Sequence, residues 1–254
     1  MGGPRRASRA RAKAALAVVV VYGRNPVREL LHGARAASVK HVWATQATAR
    51  EPWLTGDPRL VQAPASELEG LCRSPSHQGV CAQAGAYPYR DPEELLAHED
   101  ALVVALDGIQ DPQNLGAICR TAECAGASGV VIPRHRAAEV TPAVCKASAG
   151  AVEHLGVARV RNLADFLAAA KRRGAWCYGA DADATGDYAA PDYTGRVVLV
   201  LGAEGRGLGR RVAAACDALV AIPVRGRIGS LNVSAAAAVL LYAVQGRRHG
   251  PEDA

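Results

Sequence analysis

Five polar residues sit where a packed α/β sheet has no need of them: Asn114, Arg120, Glu204, Ser230 and Asn232. They belong to three glycine-marked loops and the segments that follow. The loops are Asp111-Pro-Gln-Asn-Leu-Gly116, Leu201-Gly-Ala-Glu-Gly205 and Gly229-Ser-Leu-Asn232. Glu204 lies between two glycines, where a carboxylate can accept hydrogen bonds from a substrate or brace its own loop. Asn114 and Arg120 are six positions apart and do not stack on one helix face. If Asn114 caps a helix, Arg120 projects from the second turn, and a cap plus a surface arginine would account for both. Ser230 reads as the cap of a later helix. That places Asn232 inside the first turn, where propensity does not favour it.

Several chemistries find no anchor. A Walker A loop needs G-x-x-x-x-G-K-[ST], which none of the loops offers. The run Gly205-Arg-Gly207-Leu-Gly209 matches the dinucleotide fingerprint only formally. The strand after it ends in Ile222-Pro223, without the acid that would hold a ribose diol. There is no H-E-x-x-H, no G-x-S-x-G and no metal-spaced cluster, so no metal site is expected.

The loops need elements to hold them. From residue 101 short apolar runs alternate with helical patterns: strands at 101–106, 130–132, 157–160, 176–179, 197–201 and 219–222, and helices at 114–125, 142–150, 163–173, about 209–215 and 232–245. This alternation predicts an α/β class with a mostly parallel sheet and right-handed crossovers. Ligands in such sheets bind beyond the carboxyl ends of the strands. Before it, strands at 18–21, 39–44, 60–62 and 79–84 and helices at 26–37 and 66–71 form a smaller α/β unit over 18–86, with Ser66 and Glu69 as a capping box. Residues 87–100, with two prolines and five acids, read as a linker, with a turn of helix at 92–97.

The chain has 254 residues, half of them apolar, and a net charge of +6. Five of the positive charges fall in 1–17, which reads as a disordered basic arm suited to a polyanion or simply as a solvated tail. The run 14–21 is too short to span a bilayer, so no membrane association is expected. The seven scattered cysteines fit free thiols in a cytoplasmic protein better than disulfides or zinc.

Three stretches in order, Asn114-Leu-Gly-Ala-Ile-Cys-Arg120, Leu201-Gly-Ala-Glu-Gly-Arg-Gly207 and Ile222-Pro-Val-Arg-Gly-Arg-Ile-Gly-Ser-Leu-Asn-Val-Ser234, resemble the motifs of the SpoU/TrmH (SPOUT) family of RNA 2'-O-ribose methyltransferases. Lys146-Ala-Ser-Ala-Gly-Ala-Val-Glu153 resembles that family too. Val21-Tyr-Gly-Arg-Asn-Pro-Val-Arg28 and His77-Gln-Gly-Val80 resemble the N-terminal recognition domain of its bacterial 23S rRNA guanosine branch. The resemblance covers about residues 20–246.

The resemblance implies an α/β knot, a C-terminal trefoil at 101–247, behind a ribosomal-protein-like RNA-binding domain, with 248–254 as a tail. It implies S-adenosylmethionine as cofactor, held by backbone at Leu201, Gly202, Gly205, Ile222 and Leu231. It implies a homodimer packed through knot-region helices, which would cover the apolar helix at 232–245. By resemblance Arg120 contacts the target nucleotide and helps activate a ribose 2'-hydroxyl, and an arginine is more comfortable stabilising the alkoxide than acting as a base. Asn114 would position Arg120 or the ribose, Glu204 would orient Arg120 or brace the site, and Ser230 and Asn232 would shape the nucleotide pocket. Arg24, Asn25, Arg28, Gln78, Arg225 and Arg227 are the expected RNA contacts. The implied partner is structured rRNA, 23S foremost, with tRNA or a resistance-type rRNA target as the alternative.

Overall fold

The computed structural model describes residues 18–248. The basic arm at 1–17 and the end of the tail at 249–254 lie outside the described residues. The chain forms two compact units, one of 18–88 with Val140–His154, the other of Tyr89–Glu139 with 155–248.

The first unit is built on a four-stranded sheet. Its strands are β1 (Val18–Tyr22), β2 (His41–Ala44), β3 (Leu60–Gln62) and β4 (Val80–Gly85), in the order β1-β4-β2-β3. β4 runs antiparallel to β1 and β2, and β3 is parallel to β2. Helix α1 (Arg24–His32) buries Pro26, Val27 and Leu30. Helix α2 (Ala65–Cys72) buries Leu68. Its N-cap is Pro64, with no side-chain cap bond, so Ser66 is inside the first turn rather than at the expected cap.

Val140–His154, within the stretch 101–247 expected as the methyltransferase domain, makes its contacts with the first unit. Helix α4 of this segment (Pro142–Ala147) packs on β1. Arg35 is 4% exposed and donates from Nε to Glu153 Oε2 at 2.9 Å, while Nη2 bonds Oε1 of the same carboxylate. Nη1 reaches the Gly85 carbonyl oxygen at 3.0 Å, and the guanidinium lies 5.5 Å from the Tyr87 ring centroid. Buried charge is tolerable only when paired and hydrogen-bonded in this way.

The second unit is a seven-stranded sheet. It comprises β5 (Leu102–Asp107), β6 (Gly129–Pro133), β7 (Gly156–Val160), β8 (Trp176–Ala180), β9 (Gly186–Asp187), β10 (Val197–Gly202) and β11 (Ala218–Ala221), in the order β7-β6-β5-β10-β8-β11-β9. Every pairing is parallel. β5 and β10 are buried along nearly their whole length, as their continuous apolar runs require. β10 comes late in the chain yet inserts between β5 and β8. That order fits the α/β-knot class.

Helix α3 (Pro112–Cys124) follows β5, α5 (Leu163–Arg172) follows β7, and the short α6 (Arg210–Ala213) follows β10. Helix α7 (Val233–Arg248) packs on α3 and β10 through Val233, Ala237, Leu240, Leu241 and Val244, leaving Tyr242 56% exposed. The residues read as a linker are not slack. Leu95 and Leu96 are buried in the core of this unit, and Arg90 bridges to Ala158 of β7. An apolar pair within an acidic stretch is enough to pull that turn into the core.

Candidate active site

β5 and β10 are adjacent and parallel, with Leu106 opposite Leu201 and Asp107 opposite Gly202. Their loops therefore leave the same edge of the sheet. After β5, Asp111 caps α3 by accepting from the Gln113 N–H at 2.9 Å, and Pro112 opens the helix. Asn114 is thus in the first turn rather than at the cap. It is buried and aims its amide off the helix.

After β10 the chain folds back on itself. The Gly207 N–H donates to the Ala203 carbonyl at 2.8 Å. A Cβ on Gly202 would stand 2.1 Å from the Gly207 carbonyl carbon, so no side chain fits there. Glu204 is at the tip of this turn. Asp107, which the sequence reading did not single out, accepts from the Gly209 N–H at 2.8 Å and pins the start of α6. Its only sequence signal is an acid closing an apolar strand beside a glycine.

The third loop ends at Asn232, which caps α7 in place of Ser230. Its Oδ1 accepts from the Ser234 N–H at 2.8 Å and from Ser234 Oγ at 2.6 Å. The cap residue's oxygen must reach the second helical N–H, and that position here is Ser234.

The three loops meet in one hydrogen-bonded cluster. Asn114 Nδ2 donates to Glu204 Oε1 at 3.0 Å. Asn232 Nδ2 donates to the same oxygen at 2.7 Å and to Asn114 Oδ1 at 3.1 Å. Glu204 therefore braces the loops through the two asparagines. Arg120 is exposed on α3, and its side chain makes no hydrogen bond or ion pair among the described residues, to Glu204 or to any other group.

Beside the cluster opens a cavity of about 700 Å³. All five residues read as cofactor contacts, Leu201, Gly202, Gly205, Ile222 and Leu231, line it, together with Glu204, Ser230 and Asn232. Asp181 and Asp183, from the turn after β8, line it as well and were not foreseen. Their signal was an acidic pair just past a strand end, on the edge where the glycine loops lie. Exposed backbone, aliphatic walls and carboxylates together suit a ligand with an aromatic base, a ribose diol and a cationic centre, which S-adenosylmethionine has. Toward the amino ends of β8 and β11, away from the cavity, burial pushes the Cys177 thiol up to about 12 and the Cys216 thiol up to about 11, so neither offers a thiolate nucleophile near neutral pH. No group of three or more His, Cys, Asp or Glu among the described residues could hold a metal.

In the first unit, Gln78 Oε1 accepts from the Arg24 N–H at 3.1 Å, so these two expected RNA contacts are brought together at the start of α1. The Arg24 guanidinium pairs with Glu51, and Arg28 pairs with Glu29 at 3.0 Å. Asn25 is exposed, as are Arg225 and Arg227 in the third loop.

A parallel α/β sheet with a glycine-loop cavity at its carboxyl edge defines a protein that binds a nucleotide-like ligand there. Residues 101–242 match the SpoU rRNA Methylase family, and residues 20–90 match the RNA 2'-O ribose methyltransferase substrate-binding domain. A Bacillus subtilis (strain 168) protein described as a TrmH family tRNA/rRNA methyltransferase is 46% identical over 178 residues, 68% of this chain and 72% of its own. A Staphylococcus haemolyticus protein of the same description is 35% identical over 92% of this chain and 98% of its own. The structure of the SpoU methyltransferase AviRb from Streptomyces viridochromogenes, in complex with AdoMet, superposes with a TM-score of 0.78 at 26% identity, over 98% of this chain and 95% of that one.

The chain belongs to the SpoU rRNA methylase family. It is an S-adenosylmethionine-dependent RNA 2'-O-ribose methyltransferase. The relatives' names span tRNA and rRNA, so the match reaches the family and not its 23S guanosine branch. No helix among the described residues is long and apolar enough to cross a membrane.

Proposed function

We propose that the chain methylates a ribose 2'-hydroxyl in structured RNA at the mouth of the cavity between the turns after β8 and β10 and the third loop. The observation that carries this reading is the Asn114–Glu204–Asn232 cluster, which ties all three motif loops to the cavity rim. Bound there, S-adenosylmethionine supplies an electrophilic methyl group. Leu201, Gly202, Gly205, Ile222 and Leu231 hold it largely by backbone, and the aliphatic side chains exclude water from the base.

Arg120 meets the incoming nucleotide. A guanidinium is a poor base, so Arg120 stabilises the developing alkoxide or a phosphate, and the hydroxyl proton passes to a phosphate oxygen of the RNA or to solvent. Asn114, Glu204 and Asn232 hold the loops in register, and Ser230 closes the rim. Arg24, Asn25, Arg28 and Gln78 in the first unit, with Arg225 and Arg227 in the third loop, contact RNA. A second copy covers the exposed side of α7 around Tyr242, and the protein works in the cytoplasm.

A guanosine of 23S rRNA is the target that the N-terminal motifs favour. The relatives' joint tRNA/rRNA description supports a tRNA ribose as a second reading of at least equal standing, and a resistance-type rRNA site is the remaining alternative. Nucleoside mass spectrometry of rRNA and tRNA, each incubated with the purified protein and S-adenosylmethionine, separates the rRNA readings from the tRNA one, and mapping of the modified position in 23S rRNA separates the two rRNA readings. A 2'-O-methylnucleoside in neither pool would sink the proposal. Arg120→Ala should abolish methylation while leaving S-adenosylmethionine binding and the unfolding midpoint near wild type. Full activity in that variant would remove Arg120 from the site.

A further inference from the structure

We propose that Arg134, His135 and Arg136, in the loop after β6, join Arg206 in a basic rim that grips phosphates of the RNA strand entering the methyl-transfer site. The inference rests on the reading of that cavity as the methyl-transfer site.

β6 lies beside β5 in parallel register, with Val131 opposite Ala105. The loop after β6 therefore emerges on the same edge as Asn114 and Glu204. It is fixed at both ends. The Arg134 N–H donates to the Val160 carbonyl, and the Ala138 N–H to the Ile109 carbonyl, each at 2.8 Å. Arg134, His135 and Arg136 are all exposed between these anchors. Arg136 is held at φ 56°, a backbone conformation that glycine adopts freely and an arginine does not. A strained residue kept on an anchored loop points to a use for its side chain.

Gly108 links this loop to the cavity. At φ 77° and without a Cβ, it leaves a space in which Arg206 Nη2 lies 2.8 Å from where a Cβ would stand. The Arg136 carbonyl oxygen is 3.9 Å from the same point. The Arg206 guanidinium, on the wall of the cavity, thus borders the basic loop.

The acids nearby in sequence are already engaged. Asp107 accepts from the Gly209 N–H, Glu139 pairs with Arg159, and Glu204 is held by the two asparagines. None of the four basic side chains has an ion pair or hydrogen bond among the described residues. Three guanidinium groups and an imidazole without ion-pair partners, on loops that share one sheet edge beside a methyl-transfer site, fit a phosphodiester backbone, with Asp181 and Asp183 the carboxylates that share the cavity wall with Arg206.

The test uses full-length protein, deproteinised rRNA and bulk tRNA as probes, and filter binding across a salt series. Arg134→Ala and Arg136→Gly each remove one charge, and the second also relieves the backbone strain, so it should fold. Each should weaken RNA binding several-fold and reduce the slope of log affinity against log salt by about 1. S-adenosylmethionine affinity, measured by calorimetry, should match wild type. Wild-type RNA affinity and slope in both variants would overturn the proposal. A wild-type protein that binds S-adenosylmethionine but neither RNA would overturn the RNA reading itself, and this inference with it.

Discussion

Glu204 receives two amide hydrogens on one oxygen, from Asn114 and Asn232. Removing either asparagine leaves the carboxylate short of a partner and frees one loop from another. Asn232→Ala should therefore lower single-turnover methylation by about 10²-fold, the scale of an error in alignment rather than of a lost binding contact. An unchanged rate would show that the cluster has no part in alignment. The polar residues were legible as oddities in apolar surroundings, but their partnership was not. The two asparagines are 118 positions apart, and no local pattern reports a side-chain bond over that distance. A half-buried ion pair gives an independent check. The hydrogen bonds of Arg59 hold the Asp57 carboxyl below its usual range. Its contribution is thus present above the ordinary carboxylate range and is lost as the pH falls through the lowered value. Asp57→Asn should cost about 1 kcal/mol in urea unfolding at neutral pH, with the difference vanishing in acid. Among the thiols, exposed Cys124 should react first with a disulfide reagent at neutral pH, ahead of Cys145, which burial pushes up to about 12.

The strands of the second unit were legible because an unbroken apolar run bounded by turn residues leaves little choice, as at β5 and β10. Helix starts were less so. Asp111 and Asn114, or Ser230 and Asn232, are all able caps, and the winner is set by which oxygen reaches the right N–H once the loop is folded. β9, at two residues, has no pattern to read. The turn after β10 yields a prediction at this scale. Gly202→Ala forces a methyl group into the Gly207 carbonyl and must open the turn. The variant should lose S-adenosylmethionine binding in calorimetry while its far-UV circular dichroism stays near wild type. Retained affinity would mean that the turn does not form the cofactor wall.

At the scale of the whole molecule, sequence order and spatial grouping part company. Val140–His154 lies between β6 and β7 in the chain but completes the first unit. Periodicity is a local signal and could not have placed it there. The Arg35–Glu153 pair makes the consequence measurable, since Glu153 has a side chain 0% exposed. Arg35→Met leaves that carboxylate buried without a counter-ion and should destabilise the protein by about 3–5 kcal/mol in chemical unfolding. A loss below about 1 kcal/mol, the value of an exposed pair, would show that water reaches the site.

That arrangement also limits how such a chain can be recombined. A crossover at residue 88 would exchange the strands β1 to β4 without the segment that closes their core. The incoming module would have to match a glutamate and a helix encoded more than fifty residues downstream, or leave its own buried guanidinium unanswered. Shuffling of RNA specificity in this architecture therefore requires two coordinated cuts, and hybrids spliced once between relatives should reach the insoluble fraction before they reach a new substrate.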